Sequence, residues 1–519
     1  MTAKPAPWRE GAQPGGGSPP PDAAPARAIS WPAVLGLAVF VAALWAQGST
    51  MVGVFYDDGI YVTAAKALAQ GLGYHNIHLP GAPPIIHYPP LYPLWLSVLW
   101  RLWPQFPANV TLFALGDAAF LGLAAWIAGT HLYRRLPLPG PVVLLALGAG
   151  FVNFPLLTLV SIRMSEPLFL LLLAAAVAVA DRAEPALRDG ILAGALAGLA
   201  TEAKTVGLCV LAGVVLSLWL RRRRGPALAA AAAGAVVVAP WAVWVLLHAG
   251  QIDPRLANYT TYLSELHEAG LATVVAGLKG RALSPIGDIM VPGLPLWLRR
   301  PLAWLVFGTL AWGVARSAKH APALVATLLC YFLVISLWPF PPNRFIWIII
   351  PWILLLAVVG CRAAWRRPWW GRALVAAMVL TVVIGYVRLE GIALVGRTFL
   401  TTNLQVTRAF QLLVPSIATE LPPDAVIASE DEALIYLYTG RHAVPSNLFR
   451  WQGLGTAPYS TAEHVRIWCE LGVTHLAVTA PADHATQIVA QLSQRGDSVL
   501  TPLFHLTKAG SLYRFRCPD

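Results

Sequence analysis

Charge is what this 519-residue chain has least of: Asp, Glu, Lys and Arg together make up 12% of it. A soluble domain carries about 25%. With 57% hydrophobic residues and a mean hydropathy of +0.62, the chain has far more apolar sequence than one water-soluble core can hold. Cysteine is scarce as well. There are five, with no CxxC or Cys/His cluster, which leaves no structural metal site of the usual spacing. No GxGxxG or P-loop occurs in the C-terminal part, so no nucleotide site is visible there by motif. Internal repeats of similar hydropathy are missing too, and many secondary transporters are built on such repeats.

What the chain does have is long apolar runs, near the roughly 20 residues that cross about 30 Å of hydrocarbon. They lie at 31–48, 109–131, 140–158, 166–180, 226–248, 301–316, 321–338, 345–360 and 372–389. The stretch 189–220 is ambiguous. As one helix it reaches about 48 Å, too long for one span, and as two it breaks near Thr201–Lys204. The net charge of +12 does not indicate nucleic acid, because residues 390–519 hold nine Lys/Arg against eleven Asp/Glu. The basic surplus sits between apolar runs, at Arg134, Arg135, Arg221 to Arg224, Arg362, Arg366, Arg367 and Arg372, as the positive-inside rule expects of cytoplasmic loops. Two spans within 189–220 put all of these inside, together with Arg182, Arg188, Arg316 and Lys319, and the rule favours that choice.

The expected architecture is a polytopic α-helical membrane protein of about eleven transmembrane helices with a C-terminal extracytoplasmic α/β domain. Residues 1–30, rich in Pro, Gly and Ala, read as a disordered cytoplasmic tail. Residues 31–389 form the membrane domain, with an outer loop at 49–108. The run 91–103 is too short to span and suits an interfacial helix anchored by Trp95, Trp100 and Trp103. Residues 390–519 change character. Segments 424–429 and 473–480 read as short buried strands, Ser460–Glu463 as a capping box opening a helix, and 482–495 as a further helix. Cys469 and Cys517 lie there and could pair in an oxidising space, which spacing alone does not decide.

In such a chain the informative residues are ionisable groups near hydrocarbon, each costing about 2.5–3.5 kcal/mol or more at mid-bilayer. On the favoured topology the candidates fall on one side. Asp57 and Asp58 follow the first span at a helix N-terminus, where negative charge is favoured. His87 precedes the interfacial helix, Arg163 and Glu166 lie in SIRMSEP, Glu202 and Lys204 in LATEAKTVG, and Arg344 at an outer helix end. Each has a plainer reading: helix cap, interfacial bend, loop ion pair, snorkelling lysine or interfacial anchor. Glu202 and Lys204, two apart, do not face each other on a helix, so Lys204 needs another anion. Together the set offers carboxylates beside cations, which suits chemistry on an anionic lipid headgroup. An Asp pair can also hold a divalent cation, so metal use stays open.

The order of these features resembles the GT-C superfamily of polyprenol-phosphate-sugar-dependent glycosyltransferases, in its protein O-mannosyltransferase and aminoarabinose transferase branch. The matching features are Asp57-Asp58 with Tyr61, Ala65, Leu68 and Gly71; Pro89-Pro90-Leu91-Tyr92-Pro93; Ser165-Glu166-Pro167; Gly194, Gly198, Lys204 and Gly207; and Arg344. The resemblance implies transfer from a polyprenyl-phosphate-linked sugar to a lipid, glycan or protein acceptor, in the plasma (inner) membrane. It implies Asp57 as catalytic base with Asp58 beside it, Lys204 and Arg344 on the donor phosphate, and Glu166 positioning. His87, Arg163 and Tyr61 would complete the substrate site. Two positions depart from the pattern: Asp58, where relatives often carry Glu, and His87-Tyr88, where the aminoarabinose branch tends to carry Lys. The rival readings are a transporter or lipid flippase, and a membrane anchor for the C-terminal domain.

Overall fold

The computed structural model describes residues 30–270, 295–337, 343–452, 455–479, 484–494, 499–506 and 510–518. The expected tail at 1–30 lies outside them, save Ser30. Among the described residues four helices are long and apolar enough to cross a membrane: Val110–Leu132, Arg224–Gln251, Asn343–Trp365 and Trp369–Gly396. A pair bent by 54°, Gly140–Phe151 with Phe154–Ser161, makes a fifth crossing if it is one span, and shorter apolar helices accompany them. The chain is a multi-pass membrane protein. Helices are the form such segments must take, because hydrocarbon offers no partner to an unbonded backbone group.

In chain order the membrane part contains α1 (Trp31–Trp45), α2 (Asp57–Ala69), α3 (Leu91–Leu102), α4 (Val110–Leu132), α5 (Gly140–Phe151), α6 (Phe154–Ser161) and α7 (Glu166–Ala180). It continues with α8 (Leu187–Ala203), α9 (Leu208–Leu220), α10 (Arg224–His248), α11 (Tyr262–Ala269), α12 (Leu296–Ser317), α13 (Pro322–Ser336), α14 (Asn343–Trp365), α15 (Trp369–Val382) and α16 (Arg388–Gly396). The ambiguous stretch 189–220 is resolved as α8 and α9, broken at Lys204, which takes an extended backbone. Gly207 permits the break: a Cβ there would meet the Ala200 carbonyl carbon at 2.3 Å. The run 91–103 forms the helix α3, but its tryptophans divide. Trp103 is exposed, whereas Trp100 is buried and stacks on Phe106 and Phe113, so it packs the protein instead of anchoring it.

After α16 come α17 (Thr401–Glu420), α18 (Glu432–Thr439), α19 (Thr461–Glu470) and α20 (His484–Gln494) with seven strands. A five-stranded sheet has the order β2 (His442–Pro445), β1 (Val426–Ser429), β5 (His475–Val478), β7 (Gly510–Phe515), β6 (Leu500–Leu506). The first three run parallel, and the last two pair antiparallel. A separate hairpin joins β3 (Phe449–Gln452) and β4 (Gly455–Pro458). The two expected strands and the Ser460/Glu463 capping box are present. Cys469 and Cys517 form a disulfide that ties the end of α19 to the segment after β7. This region rests directly on the segment between α1 and α4. Val52 N–H donates to Tyr438 Oη (3.1 Å), Met51 N–H to Thr407 Oγ1 (2.9 Å) and Ala443 N–H to the His78 carbonyl (2.9 Å).

Candidate active site

Four charges from four elements meet at one end of the membrane helices. Asp57 opens α2, Glu166 opens α7, Lys204 sits at the α8–α9 break and Arg344 lies in the first turn of α14. Arg344 Nη1 donates to Asp57 Oδ2 at 2.7 Å, and its Nε donates to Glu166 Oε1 at 2.9 Å. Lys204 Nζ donates to the same Glu166 oxygen at 3.0 Å. Carboxylates at the first turn of α2 and α7 also face the positive end of each helix dipole. The anion that Lys204 needs is therefore Glu166, and Glu202, two residues away, is not its partner.

Exposure is graded along this chain of charges. Glu166 is buried at 1% of its side-chain surface, while Lys204, Asp57 and Arg344 keep 12%, 18% and 26%. The acid that bridges both cations is thus sealed, and the other three groups remain reachable. The second oxygen of Glu166 has no hydrogen-bond partner. Aromatic rings back both cations: Phe55 lies 5.2 Å from the Arg344 guanidinium and Phe345 5.6 Å from Lys204 Nζ.

Asp57 Oδ1 accepts the Tyr88 hydroxyl at 2.9 Å. Burial, then the Asp57 charge, pushes the Tyr88 phenol far up, so it is a donor throughout the ordinary pH range. Tyr61 packs edge-on between Tyr88 and Tyr92, with its hydroxyl 3.2 Å from Ser165 Oγ. His87 lies against Tyr262, and its Nδ1 is 2.6 Å from the Thr260 carbonyl; burial lowers its pKa, opposed by that hydrogen bond. Beside Lys204 an apolar cavity of about 330 Å³ runs along α9 and α13, lined by Lys204, Cys209, Tyr262, Leu333 and Phe345 among others. A charged head and an apolar body is the shape of an amphiphile.

Two residues that the sequence placed in the site are elsewhere. Asp58 is buried at 1%, and its two oxygens accept the N–H groups of Gly53 (2.8 Å) and Phe55 (3.0 Å). Burial pushes its pKa up to about 6 in spite of those bonds. It braces the loop before α2 and does not face the cations. The preceding residue, Tyr56, has φ 69°, a left-handed backbone costing about 1–3 kcal/mol that the packed surroundings must hold. Arg163 is likewise committed. Its guanidinium lies 3.4 Å from Asp117 on α4 and donates to Gln47, because a buried cation in a membrane helix bundle requires a counter-charge. Asp58 and Arg163 both line a separate cavity of about 540 Å³. The two adjacent aspartates therefore have different partners, Asp57 the side chains of Tyr88 and Arg344, Asp58 the N–H groups of its own loop. Among the described residues no group of three or more His, Cys, Asp or Glu is disposed to hold a metal ion.

In the sequence Tyr88 stands out only as half of the His87-Tyr88 departure, with no role of its own. Its contact with Asp57 crosses 31 residues and needed the fold. Asp117, the partner of Arg163, sits inside an apolar run, where a lone acid is itself a signal.

No family model and no curated protein matches the sequence. Solved structures do match. ArnT from Cupriavidus metallidurans, bound to undecaprenyl phosphate, aligns with a TM-score of 0.56 at 14% identity, over 93% of this chain and 97% of that one. The archaeal oligosaccharyltransferase AglB from Archaeoglobus fulgidus, in complex with an inhibitory peptide and a dolichol-phosphate, aligns with a TM-score of 0.54 at 11% identity, over 93% of this chain and 74% of that one. This chain therefore shares its fold with those two proteins.

Proposed function

We propose that the chain is a membrane glycosyltransferase that moves a sugar from a polyprenyl-phosphate donor to an acceptor hydroxyl or amine. The observation that carries this reading is the juxtaposition of Lys204 and Arg344, both anchored on one buried carboxylate, with the mouth of an apolar cavity. The donor's phosphate lies against the two cations and its isoprenoid chain along α9 and α13. The acceptor attacks the anomeric carbon as the bond from that carbon to the phosphate oxygen breaks, in an inverting displacement. The electron pair leaves on the polyprenyl phosphate, where the two cations stabilise it, and Asp57 takes the acceptor's proton. Tyr88, the neutral partner of Asp57, yields its place to the incoming hydroxyl or amine. Glu166, sealed beneath them, fixes both cations. Tyr61 and His87 shape the space around Asp57 and Tyr262.

The two similar structures support this reading, since one was solved with undecaprenyl phosphate and the other with dolichol-phosphate. We further infer eleven spans, with α5 and α6 counted as one and α15 and α16 as another. On this reading residues 31–389 are the membrane domain, the segment 49–108 and residues 390–519 lie on the extracytoplasmic side, residues 1–30 are a cytoplasmic tail, and the membrane is the plasma (inner) membrane. The transporter reading is less favoured: the charge in the wall of the apolar cavity, Lys204, is paired with a buried carboxylate.

The test is transfer in proteoliposomes holding the full chain, with radiolabelled polyprenyl-phosphate sugars as donors and a membrane extract as acceptor. Label should leave the lipid only when the protein is present. Failure with every donor, by protein shown to be folded, refutes the proposal.

A further inference from the structure

The far end of the same helix bundle holds a second charged site that transfer does not use. Arg362 lies 18 residues after Arg344 on α14, so the two are about 27 Å apart along the axis, close to the thickness of the hydrocarbon. There a cavity of about 360 Å³ is lined by Pro137, Arg316, Val359, Arg362, Arg366 and Arg367, with Ala363 completing it. Four arginines, all exposed, line this one space and no acidic residue does. Among the described residues no acid pairs with any of the four, although Arg255, Arg344 and Arg182 elsewhere all have acidic partners.

The positive-inside rule accounts for arginines at this end of the membrane, but not for their convergence on one cavity. That convergence is built by backbone packing. A Cβ on Gly313 would meet the Leu356 carbonyl oxygen at 1.8 Å, and one on Gly360 would meet the Thr309 carbonyl oxygen at 1.9 Å. Only glycine allows α12 and α14 to come this close, and Arg316 and Arg362 stand within a turn of that contact. Arg367 is held in turn over the Trp312 ring at 5.3 Å, and Trp312 stacks on Trp370. The exposed indoles of Trp365 and Trp369 flank Arg366 and Arg367 in the sequence, as tryptophans do at a membrane–water boundary. Like charges held together this way repel one another unless an anion joins them. Guanidinium forks match phosphate oxygens in pairs, and basic pockets between membrane helices take lipid headgroups.

We propose that this cavity binds the phosphate of an anionic phospholipid headgroup, at the membrane face opposite the transfer site. The headgroup phosphate bridges Arg316 on α12 to Arg362 on α14, Arg366 and Arg367 close over it, and the acyl chains lie along the apolar faces of the same helices. The proposal is independent of the transfer reading.

The test uses the full chain purified in a zwitterionic detergent. Retention of phosphatidylglycerol, phosphatidylcholine and inorganic phosphate is measured by native mass spectrometry and by the thermal shift each produces. Four versions are compared: wild type, Arg316→Gln/Arg362→Gln, Arg316→Lys/Arg362→Lys, and a control, Arg222→Gln/Arg223→Gln, that removes two exposed arginines outside the cavity. Wild type should retain phosphatidylglycerol in preference to phosphatidylcholine. The Gln pair should weaken that retention on the order of tenfold, the Lys pair less, and the control hardly at all. Without lipid the Gln pair should melt no lower than wild type, because it relieves repulsion and breaks no contact with an acid. Equal loss in the control and the Gln pair would show unspecific surface attraction and overturn the site. Inorganic phosphate matching phosphatidylglycerol would overturn the lipid as its occupant.

Discussion

At its first turn α14 holds Arg344 between two carboxylates; at its last it holds Arg362 among three other arginines and no acid. The same helix thus meets two different demands. The Arg344 end sits over Glu166, which is sealed from water, and charge there is tolerable only when it is matched group by group. Two acids and two bases form a closed set, and a phosphate entering it must compete with Glu166 for cations already in place. The Arg362 end is open to water or headgroups, so its charges can stand unmatched until a ligand arrives. On the two proposals made above, matched charge marks the place where chemistry is done on a bound anion, and unmatched charge a place where an anion is only held.

This contrast breaks most severely if Arg344 is removed. Arg344→Ala leaves Asp57 and Glu166 without their shared cation, and loss of one such stabilising group costs on the order of 10²–10³-fold in transfer. A single-turnover assay with saturating donor measures it, and a loss under tenfold would detach Arg344 from the departing phosphate. Lys204→Ala comes next. It removes one of the two phosphate contacts but leaves Asp57 paired, so the expected loss is about 10²-fold, chiefly as a raised KM for the donor, with partial recovery in Lys204→Arg. An unchanged KM would place the lipid phosphate elsewhere.

Asp58→Asn sharpens the comparison between neighbours. The amide offers one acceptor oxygen where the carboxylate offers two, so the N–H of Gly53 or Phe55 loses its partner at a cost of about 1–3 kcal/mol. Thermal or denaturant unfolding should register this, while transfer by the folded protein stays within about tenfold of wild type. A larger activity loss without destabilisation would restore Asp58 to the chemistry.

The smallest effect expected is on pH. Glu432, fully buried in α18 beneath Tyr259, has its pKa pushed up to about 7 by burial, against the hydrogen bond from that tyrosine. Asp58 is raised to about 6. Each binds its proton more tightly folded than unfolded, so the stabilisation is complete below about pH 4 and is lost as pH rises through 6 and 7. The melting temperature of wild type should therefore fall between pH 5 and 8, and that of Glu432→Gln should fall less. Parallel curves would mean that Glu432 does not titrate in this window.

The sequence made the four-charge cluster legible for a physical reason. Hydrocarbon makes every ionisable group expensive, so Asp57, Glu166, Lys204 and Arg344 stand out against the apolar runs around them. What it could not show was direction. Asp57 and Asp58 are neighbours, yet successive helical positions diverge by about 100°, and only the fold shows which faces Arg344. Arg163 looked like a site residue because it lies three positions before Glu166; its actual partner, Asp117, lies on another helix. In the C-terminal region the capping box and the two apolar strands were readable from composition. The four-residue strand β2 and the antiparallel β6–β7 pair depend on tertiary pairing, as does the disulfide between Cys469 and Cys517, whose spacing carried no such information.

The most direct test of the central claim, that Asp57 is the base acting on a donor held by Lys204 and Arg344, is a comparison of Asp57→Asn with wild type in proteoliposomes. Donor retention and sugar transfer are measured on the same samples. The account expects Asp57→Asn to retain the polyprenyl-phosphate sugar while transfer falls by about 10²–10⁴-fold, the range a positioned general base supplies. Transfer within tenfold of wild type, with donor binding intact, would contradict it.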